Sequence, residues 1–114
     1  MRIPKADAVI IAKEKITDYL LNPQHPDGAP KAVFFAGHGF TAENWQILAE
    51  ALRQLAANSE QARLEISQHG KKYIIDGPIT TPAGRMPIVR TVWIIDKGGD
   101  SPRFVTAYPH EEGE

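Results

Sequence analysis

Apolar positions recur with helical spacing in the first half of the chain and alternate with polar positions in the second half. The clearest helix follows Thr41, whose hydroxyl can cap the free amides of a first turn. Its apolar stripe is spaced by three and four residues and consists of Trp45, Leu48, Ala49, Leu52, Leu55 and Ala56. Two shorter helices are predicted ahead of it, over residues 13–22 and 30–37, with a proline-rich turn between them.

In the second half the apolar period changes from 3.6 to 2, which predicts strands. Four strands are expected, at residues 63–68, 71–76, 89–96 and 103–108. Residues 8–12 are a further candidate for a short edge strand. Helices that precede an antiparallel meander of four strands are typical of an α+β fold in which the helices pack on one face of the sheet. We therefore expect one α+β domain over residues 1–109, followed by an acidic C-terminal tail at residues 110–114.

Composition removes several classes of function. The 114 residues include no cysteine, which excludes disulfide scaffolds, thiolate zinc sites and cysteine nucleophiles. No window approaches the ~18 apolar residues of a membrane-spanning helix, and residues 8–12 are too short for the apolar core of a signal peptide. We therefore expect a cytoplasmic protein with no membrane partner.

The net charge of −1 is unevenly distributed. Residues 59–109 carry seven basic and five acidic side chains, whereas the last five residues, His-Glu-Glu-Gly-Glu, carry three acidic ones. An excess of two positive charges is too small to indicate nucleic-acid binding by itself. It is compatible with a local basic patch.

Motifs for metal, cofactor or acyl-transfer chemistry are absent from the sequence. The four histidines, at positions 25, 38, 69 and 110, lack the short spacing that places two imidazoles on one helix face. Gly37-His38-Gly39-Phe40 lacks the Lys-Ser/Thr pair of a phosphate-binding loop and favours a glycine C-cap. No serine lies in a nucleophile elbow. We expect neither a metal nor an organic cofactor.

Arginine, lysine, threonine and tyrosine gather on the predicted strands. In strand 103–108, strict alternation places Phe104, Thr106 and Tyr108 on the face opposite to Arg103, Val105 and Ala107. Such polar side chains can hold a phosphodiester, because guanidinium groups bind phosphate bidentately and aromatic rings stack on bases. The same residue types are also favoured on strands for packing alone, and exposed cations are usually just solvated. The residues alone are consistent with both interpretations, a phosphodiester-binding surface and ordinary strand packing.

A set of short stretches, in order along nearly the whole chain, resembles the bacterial family catalogued as domain of unknown function 6883. They are Tyr19-Leu20-Leu21-Asn22-Pro23, His25-Pro26-Asp27-Gly28, Lys31-Ala32, Phe34-Phe35, Gly39-Phe40, Asp76-Gly77-Pro78, Val89-Arg90-Thr91-Val92-Trp93 and Val105-Thr106-Ala107-Tyr108-Pro109. The resemblance implies a domain that occurs alone or as the C-terminal module of polymorphic toxins. The order of elements is also similar to that of the barnase/RelE-like ribonucleases, an analogy of architecture only.

The analogy implies a metal-independent endoribonuclease toxin in which the ribose 2′-hydroxyl attacks the adjacent phosphate. Catalysis then needs a proton acceptor, a proton donor and groups that stabilise the added negative charge. His25 is the first candidate for acid/base work because of its reference pKa, with Lys72 or Lys71 as replacements. Arg90 and Arg103 are the candidate charge stabilisers.

The remaining candidates would orient the phosphate or stack on a base. Tyr108 is placed with the catalytic group, and the expected substrate-binding residues are Lys31, Lys71, Tyr73, Thr91, Trp93 and Thr106. Each site residue also has a structural alternative. His25 could only cap a turn, Arg103 could pair with Asp96 or Asp100, and Tyr108 could belong to the core.

Two functions therefore compete. The first is the ribonuclease toxin, with an RNA substrate and a small antitoxin or immunity protein as partner. The second is a non-catalytic protein-binding module, such as an immunity-type accessory protein. The toxin hypothesis predicts that the cationic and tyrosine side chains converge near His25 or a lysine. The binding-module hypothesis predicts scattered polar groups and an exposed apolar patch or edge strand.

Overall fold

Three helical segments make up the first half of the chain in the computed structural model, which describes residues 1–110. Helix α1 spans Lys13–Lys15 and continues directly as a π-helical turn over Ile16–Leu20. Helix α2 spans Ala29–Gly37, with Pro30 in its first turn, where a missing amide hydrogen costs nothing. Helix α3 spans Trp45–Asn58 and is the longest.

Helix α3 begins slightly later than the position of Thr41 predicts. The backbone amide of Thr41 donates to Asn44 Oδ1 over 2.7 Å, and the amide of Asn44 donates back to Thr41 Oγ1 over 3.2 Å. This reciprocal pair closes a turn ahead of the helix, so the first helical residue is Trp45. The predicted apolar stripe is confirmed, since Leu48, Leu52 and Ala56 are fully buried.

Four antiparallel strands follow and form one sheet in the order β1-β2-β3-β4. They are β1 at Arg63–Ser67, β2 at Gly70–Pro78, β3 at Ile88–Asp96 and β4 at Arg103–Pro109. The meander places each strand beside its predecessor, and the helices pack on one face of the sheet. The predicted α+β fold is confirmed.

The predicted edge strand at residues 8–12 is wrong in extent. Only Ile10 pairs with the sheet, in a parallel bridge beside Arg103. Its amide donates to the Pro102 carbonyl oxygen, and its own carbonyl oxygen accepts from Phe104, both over 2.8 Å. The segment therefore covers the start of β4 with one residue and then turns into α1.

The helix-facing side of the sheet supplies the core. It presents Tyr73, Ile75, Val89, Trp93, Phe104 and Ala107, all of them buried. Even the polar groups there are satisfied internally: Trp93 Nε1 donates to Thr91 Oγ1, and Thr91 Oγ1 donates to the Ile75 carbonyl, both over 2.8 Å. The buried polar groups of Thr91 and Trp93 are therefore not available to a ligand in solvent.

A β-bulge in β4 overturns the strict alternation that the sequence predicts for this strand. The register pairs Phe104 with Trp93 and Thr106 with Val92, which leaves Val105 without a partner in β3. Phe104 therefore faces the core, while Thr106 faces the opposite, open side of the sheet. Arg103 also moves to that open side. One extra residue thus separates side chains that alternation would have placed together.

His110, the first residue of the predicted acidic tail, still follows the sheet, because its amide donates to the Ile88 carbonyl over 3.0 Å. Residues 111–114, the rest of that tail, lie outside the described residues. Within residues 1–110, no helix has the length and apolar character that crossing a membrane requires.

Candidate functional site

The antiparallel register sets Asp76 of β2, Arg90 of β3 and Tyr108 of β4 side by side across the open face. Arg90 Nε and one terminal nitrogen donate to the two carboxylate oxygens of Asp76, each over 2.8 Å. Side chains of Arg90 and Asp76 keep 26% and 22% of their surface exposed. The pair is therefore a rigid bidentate fork that still reaches solvent.

This fork shifts the proton affinity of both partners. The hydrogen bond from Arg90 holds the pKa of Asp76 below its ordinary value, against the opposing effect of partial burial. The same bond raises the pKa of Arg90, and the nearby Tyr108 adds to that effect. Both groups are consequently charged at neutral pH.

His110 adds an imidazole to the fork. Its Nε2 lies 3.3 Å from a terminal nitrogen of Arg90 and 3.6 Å from Asp76 Oδ2. His110 thus places an imidazole nitrogen within reach of both charged partners of the fork. Sequence reasoning assigned no role to His110 or Asp76.

Tyr19, on the π-helical turn, reaches over the edge of β4 to the same face. Lys31 of α2 donates a hydrogen bond to the Tyr19 hydroxyl, which also shares a 2.8 Å hydrogen bond with Thr106 Oγ1. The Lys31 ammonium lies 4.8 Å from the centre of the Tyr19 ring and 5.9 Å from that of Tyr108. Lys31 thereby connects the helices to the open face.

The surroundings of Tyr19 lower the pKa of its phenol. Partial burial alone would raise it, but the hydrogen bonds from Lys31 and Thr106 outweigh that effect. The charges of Lys31 and Lys15 lower it further, and the Lys15 ammonium lies 5.4 Å from the ring. Removal of the phenolic proton of Tyr19 is thus easier here than for a phenol in water.

His25 packs against Tyr19 with its ring edge-on, at 5.0 Å between ring centres. Its Nδ1 accepts hydrogen bonds from the backbone amides of Asp27 and Gly28, over 3.0 and 3.1 Å. Because Nδ1 is an acceptor, the neutral ring carries its proton on Nε2 and presents a donor there. A side chain at Gly28 would overlap the Tyr19 carbonyl, so this tight approach requires glycine.

We call this group the Tyr19 cluster, and it consists of Tyr19, His25, Lys31, Asp76, Arg90, Thr106, Tyr108 and His110. It brings together a large share of the residues predicted from the sequence, namely His25, Lys31, Arg90, Thr106 and Tyr108. Its cations and hydroxyl groups suit an anionic ligand with acid/base groups at hand. Among residues 1–110 there is no grouping of three or more His, Cys, Asp or Glu side chains that could hold a metal ion.

The structure places the predicted catalytic residues Arg103 and Lys72 away from this cluster. Both flank Ile94, four residues along β3 from Arg90, or about 13 Å at strand spacing. Arg103 donates to both oxygens of Asp96, over 2.8 and 3.0 Å, and Lys72 lies 3.4 Å from Glu65. The ion pair with Asp96 is one of the structural alternatives that the sequence left open.

The structure also separates the remaining predicted substrate-binding residues from the cluster. Tyr73, Thr91 and Trp93 lie on the helix-facing side, with at most 2% of their surface exposed. Lys71 is exposed near the β1–β2 turn, in register with Ile95. Burial explains the placement of Tyr73, Thr91 and Trp93, because aromatic and β-branched side chains fill the core.

Comparison with solved structures shows a similar fold in a chain of the contact-dependent growth inhibition toxin–immunity protein complex from Klebsiella pneumoniae 342. The TM-score is 0.71 and the sequence identity is 19%, with 89% of this chain and 99% of that chain covered. At this identity the likeness shows the fold alone. No curated protein matches the sequence.

The stretches that pointed to a family in the sequence now lie largely in one place. Every member of the Tyr19 cluster except His110 comes from those stretches. These members are Tyr19, His25, Lys31, Asp76, Arg90, Thr106 and Tyr108. The family described as a domain of unknown function (DUF6883) matches residues 2–111, nearly the full length, and the chain therefore belongs to that family.

Proposed function

We propose that the chain is a metal-independent endoribonuclease of the toxin type, with the Tyr19 cluster as its active site. The observation that carries this proposal is the Lys31–Tyr19 hydrogen bond, which lowers the pKa of a phenol that lies next to the ammonium groups of Lys31 and Lys15. Cations and a proton acceptor on an open sheet face are the groups needed to cleave a phosphodiester with an internal nucleophile.

In this proposal Tyr19 is the general base. Its phenolate accepts the proton of the ribose 2′-hydroxyl while O2′ forms a bond to phosphorus. The bond from phosphorus to the 5′ oxygen breaks, and the products are a 2′,3′-cyclic phosphate and a 5′-hydroxyl. The lowered pKa of Tyr19 supports this role, because it raises the phenolate fraction near neutral pH.

His110 is the proposed general acid, which protonates the departing 5′ oxygen. Its imidazole Nε2 lies 3.6 Å from Asp76 Oδ2, at the side of the cluster opposite Tyr19 along β4. Thr106, the partner of Tyr19, and His110 lie two residues before and two residues after Tyr108. The proposal therefore requires a substrate phosphate over Tyr108, with the side chains of Tyr19 and His110 reaching it from opposite sides.

Arg90 and Lys31 are the proposed stabilisers of the charge that develops on the phosphate. Asp76 engages Nε and one terminal nitrogen of Arg90, which fixes the guanidinium plane and leaves further N–H groups for an anion. His25 contributes its Nε2–H as a fixed donor, a binding role that its orientation favours over that of a base. Tyr108 offers its ring for base stacking.

The fold is compatible with a role in a toxin–immunity pair. The similar chain comes from a toxin–immunity protein complex, which fits a toxin that is restrained by a partner and equally fits an immunity protein. A second candidate, a non-catalytic protein-binding module, is favoured by β1. All five residues of this edge strand are exposed, and Ile66 keeps 72% of its surface accessible.

A growth assay separates the two functions. We expect induced expression of the wild-type chain in bacteria without a partner protein to arrest growth, and Arg90→Ala to relieve the arrest. Arg103→Ala is the matched control, an arginine on the same face outside the cluster, and it should arrest growth like the wild type. Normal growth while soluble wild-type protein accumulates would favour the binding module.

A further inference from the structure

A large groove lies apart from the Lys31–Tyr19 contact, between α3 and the segment that follows β2. Its volume is about 1090 Å³. The floor is apolar and is formed by Ile47, Ala51, Leu55, Ile79, Pro82 and Met86. Ile47 and Met86 expose 49% and 58% of their surface, which adds accessible apolar area to the groove.

The wall opposite α3 is held in place by hydrogen bonds. Thr81 Oγ1 donates to the Arg85 carbonyl over 2.6 Å, and the amide of Ile79 donates to the Pro87 carbonyl over 3.1 Å. The amide of Ala83 donates to the carbonyl of His38 in the helical half of the chain, also over 3.1 Å. The groove is therefore formed before any partner arrives, which lowers the entropic cost of binding.

The groove carries charge of one sign. Glu50, Glu60 and Asp76 line it together with the neutral amides Gln46, Gln54, Asn58 and Gln61. No lysine, arginine or histidine of residues 1–110 is among its lining residues. Asp76 pairs with Arg90, and Glu50 pairs with Arg53 over 3.5 Å, so the unpaired negative charge among these three carboxylates is that of Glu60. The lining presents carboxylate and amide groups and offers no cation to the phosphates of a nucleic acid.

We propose that this groove binds a basic amphipathic helix of a partner protein. The apolar floor fits one face of such a helix, and the acidic and amide rim fits lysine or arginine side chains on its flanks. The charge pattern selects this occupant over nucleic acid and over an acidic helix. The groove meets the Tyr19 cluster at Asp76, and its other lining residues lie outside that cluster.

A model peptide tests the charge and shape requirement directly. The probe is a labelled peptide of about 15 residues, with leucine along one helical face and lysine along the other. Fluorescence anisotropy with the full chain should give a Kd below ~100 μM, and the same peptide with glutamate in place of lysine should not bind. Backbone amide resonances of Ala51, Leu55 and Ile79 should shift on titration with the lysine peptide.

Charge reversal in the groove provides the control. Glu50→Lys combined with Glu60→Lys should weaken binding of the lysine peptide at least ~10-fold. Glu14→Lys combined with Glu43→Lys makes the same charge change at exposed positions outside the groove and should leave the Kd within ~3-fold. Equal binding of both peptides, no binding of either, or resonance shifts centred on other surfaces would overturn the proposal. None of these measurements involves RNA, so failure here is distinct from failure of the proposed ribonuclease activity.

Discussion

Lys31 donates a hydrogen bond to the hydroxyl of Tyr19 and holds its ammonium 4.8 Å from the centre of that ring. The contact joins α2 to the π-helical turn and presents both side chains at the edge of β4. It places a cation beside a phenol whose proton it helps to release. The proposed nuclease chemistry depends on that pair more than on any other contact.

Removal of the Tyr19 hydroxyl tests the proposed base. Tyr19→Phe keeps the ring against His25 but deletes the atom that binds Lys31 and Thr106. We expect RNA cleavage to fall by ~100-fold or more, with little change in the thermal midpoint. Tyr73→Phe is the matched control, because that tyrosine is buried on the other side of the sheet, and its activity should stay at the wild-type level. Equal losses in the two variants would contradict a chemical role for Tyr19.

Loss of the Lys31 charge should raise the pKa of Tyr19. In the folded chain this pKa lies below the ordinary 10.0, chiefly because Lys31 and Thr106 outweigh the effect of burial. Lys31→Met removes both the hydrogen bond and the charge, so the phenol should titrate at higher pH. The measurement is an absorbance or NMR titration of the wild type and Lys31→Met, each compared with its Tyr19→Phe version to isolate this one phenol. An unchanged midpoint would show that Lys31 does not act on Tyr19.

The lowered pKa of Tyr19 also makes the free energy of unfolding depend on pH. A phenol with a lowered folded-state pKa adds stability above its unfolded pKa near 10, and that stability is lost as the pH falls through the folded value. In wild type the free energy of unfolding should therefore rise between those two pH values relative to Tyr19→Phe. Urea unfolding at closely spaced pH values would show it, and a difference that falls with pH would contradict the assignment.

Asp76 should make stability sensitive to acid. Arg90 lowers its pKa, so the stabilisation is present above the ordinary value near 4 and is lost as the pH falls through the folded-state value. Asp76→Asn should cost about 2 kcal/mol at pH 7, the typical contribution of hydrogen bonds to a charged group, and the difference from wild type should shrink in acid. Asp100→Asn, in the exposed pair with Lys5, is the control and should behave like wild type. A constant difference at all pH values would argue against the Arg90 contact as its cause.

Gly28 tests the packing that supports His25 and Tyr19. A Cβ at this position would overlap the Tyr19 carbonyl, a backbone group that cannot move aside cheaply. Gly28→Ala should lower the free energy of unfolding by about 1–3 kcal/mol and reduce cleavage as well. Gly37→Ala, at the end of α2 with open space around it, should be neutral or slightly stabilising. If Gly28→Ala is as stable as the wild type, the loop at residue 28 can move away from the Tyr19 carbonyl at little cost, and the close contact is not required.

Much of the fold follows from the sequence because periodicity reports burial. The spacing behind Thr41 marks the buried face of α3, and alternation in residues 89–96 separates Trp93 from Arg90 correctly. The bulge at Val105 could not be foreseen in this way. Valine suits a paired strand position as well as a bulged one, so nothing in its chemistry marks the extra residue that brings Arg103 and Thr106 onto the same face.

The site was only partly predictable for a related reason. Tyr19 occupies an apolar position of a predicted helix, and its contact with Thr106 joins residues 87 positions apart. Asp76 pairs with Arg90 across a β2–β3 connection whose length sequence patterns do not define. Residue type alone suggested Arg103 as strongly as Arg90, and only the register distinguishes an arginine paired with Asp96 from one within the cluster.

The most direct test is cleavage of RNA by the purified chain in EDTA. Total RNA and tRNA are incubated with wild type and with Tyr19→Phe, and the ends of any products are identified. The account predicts that wild type alone yields fragments ending in 2′,3′-cyclic phosphate, while folded Tyr19→Phe leaves the RNA intact. RNA that stays intact with folded wild type across these substrates, or cleavage that persists in Tyr19→Phe, would contradict it.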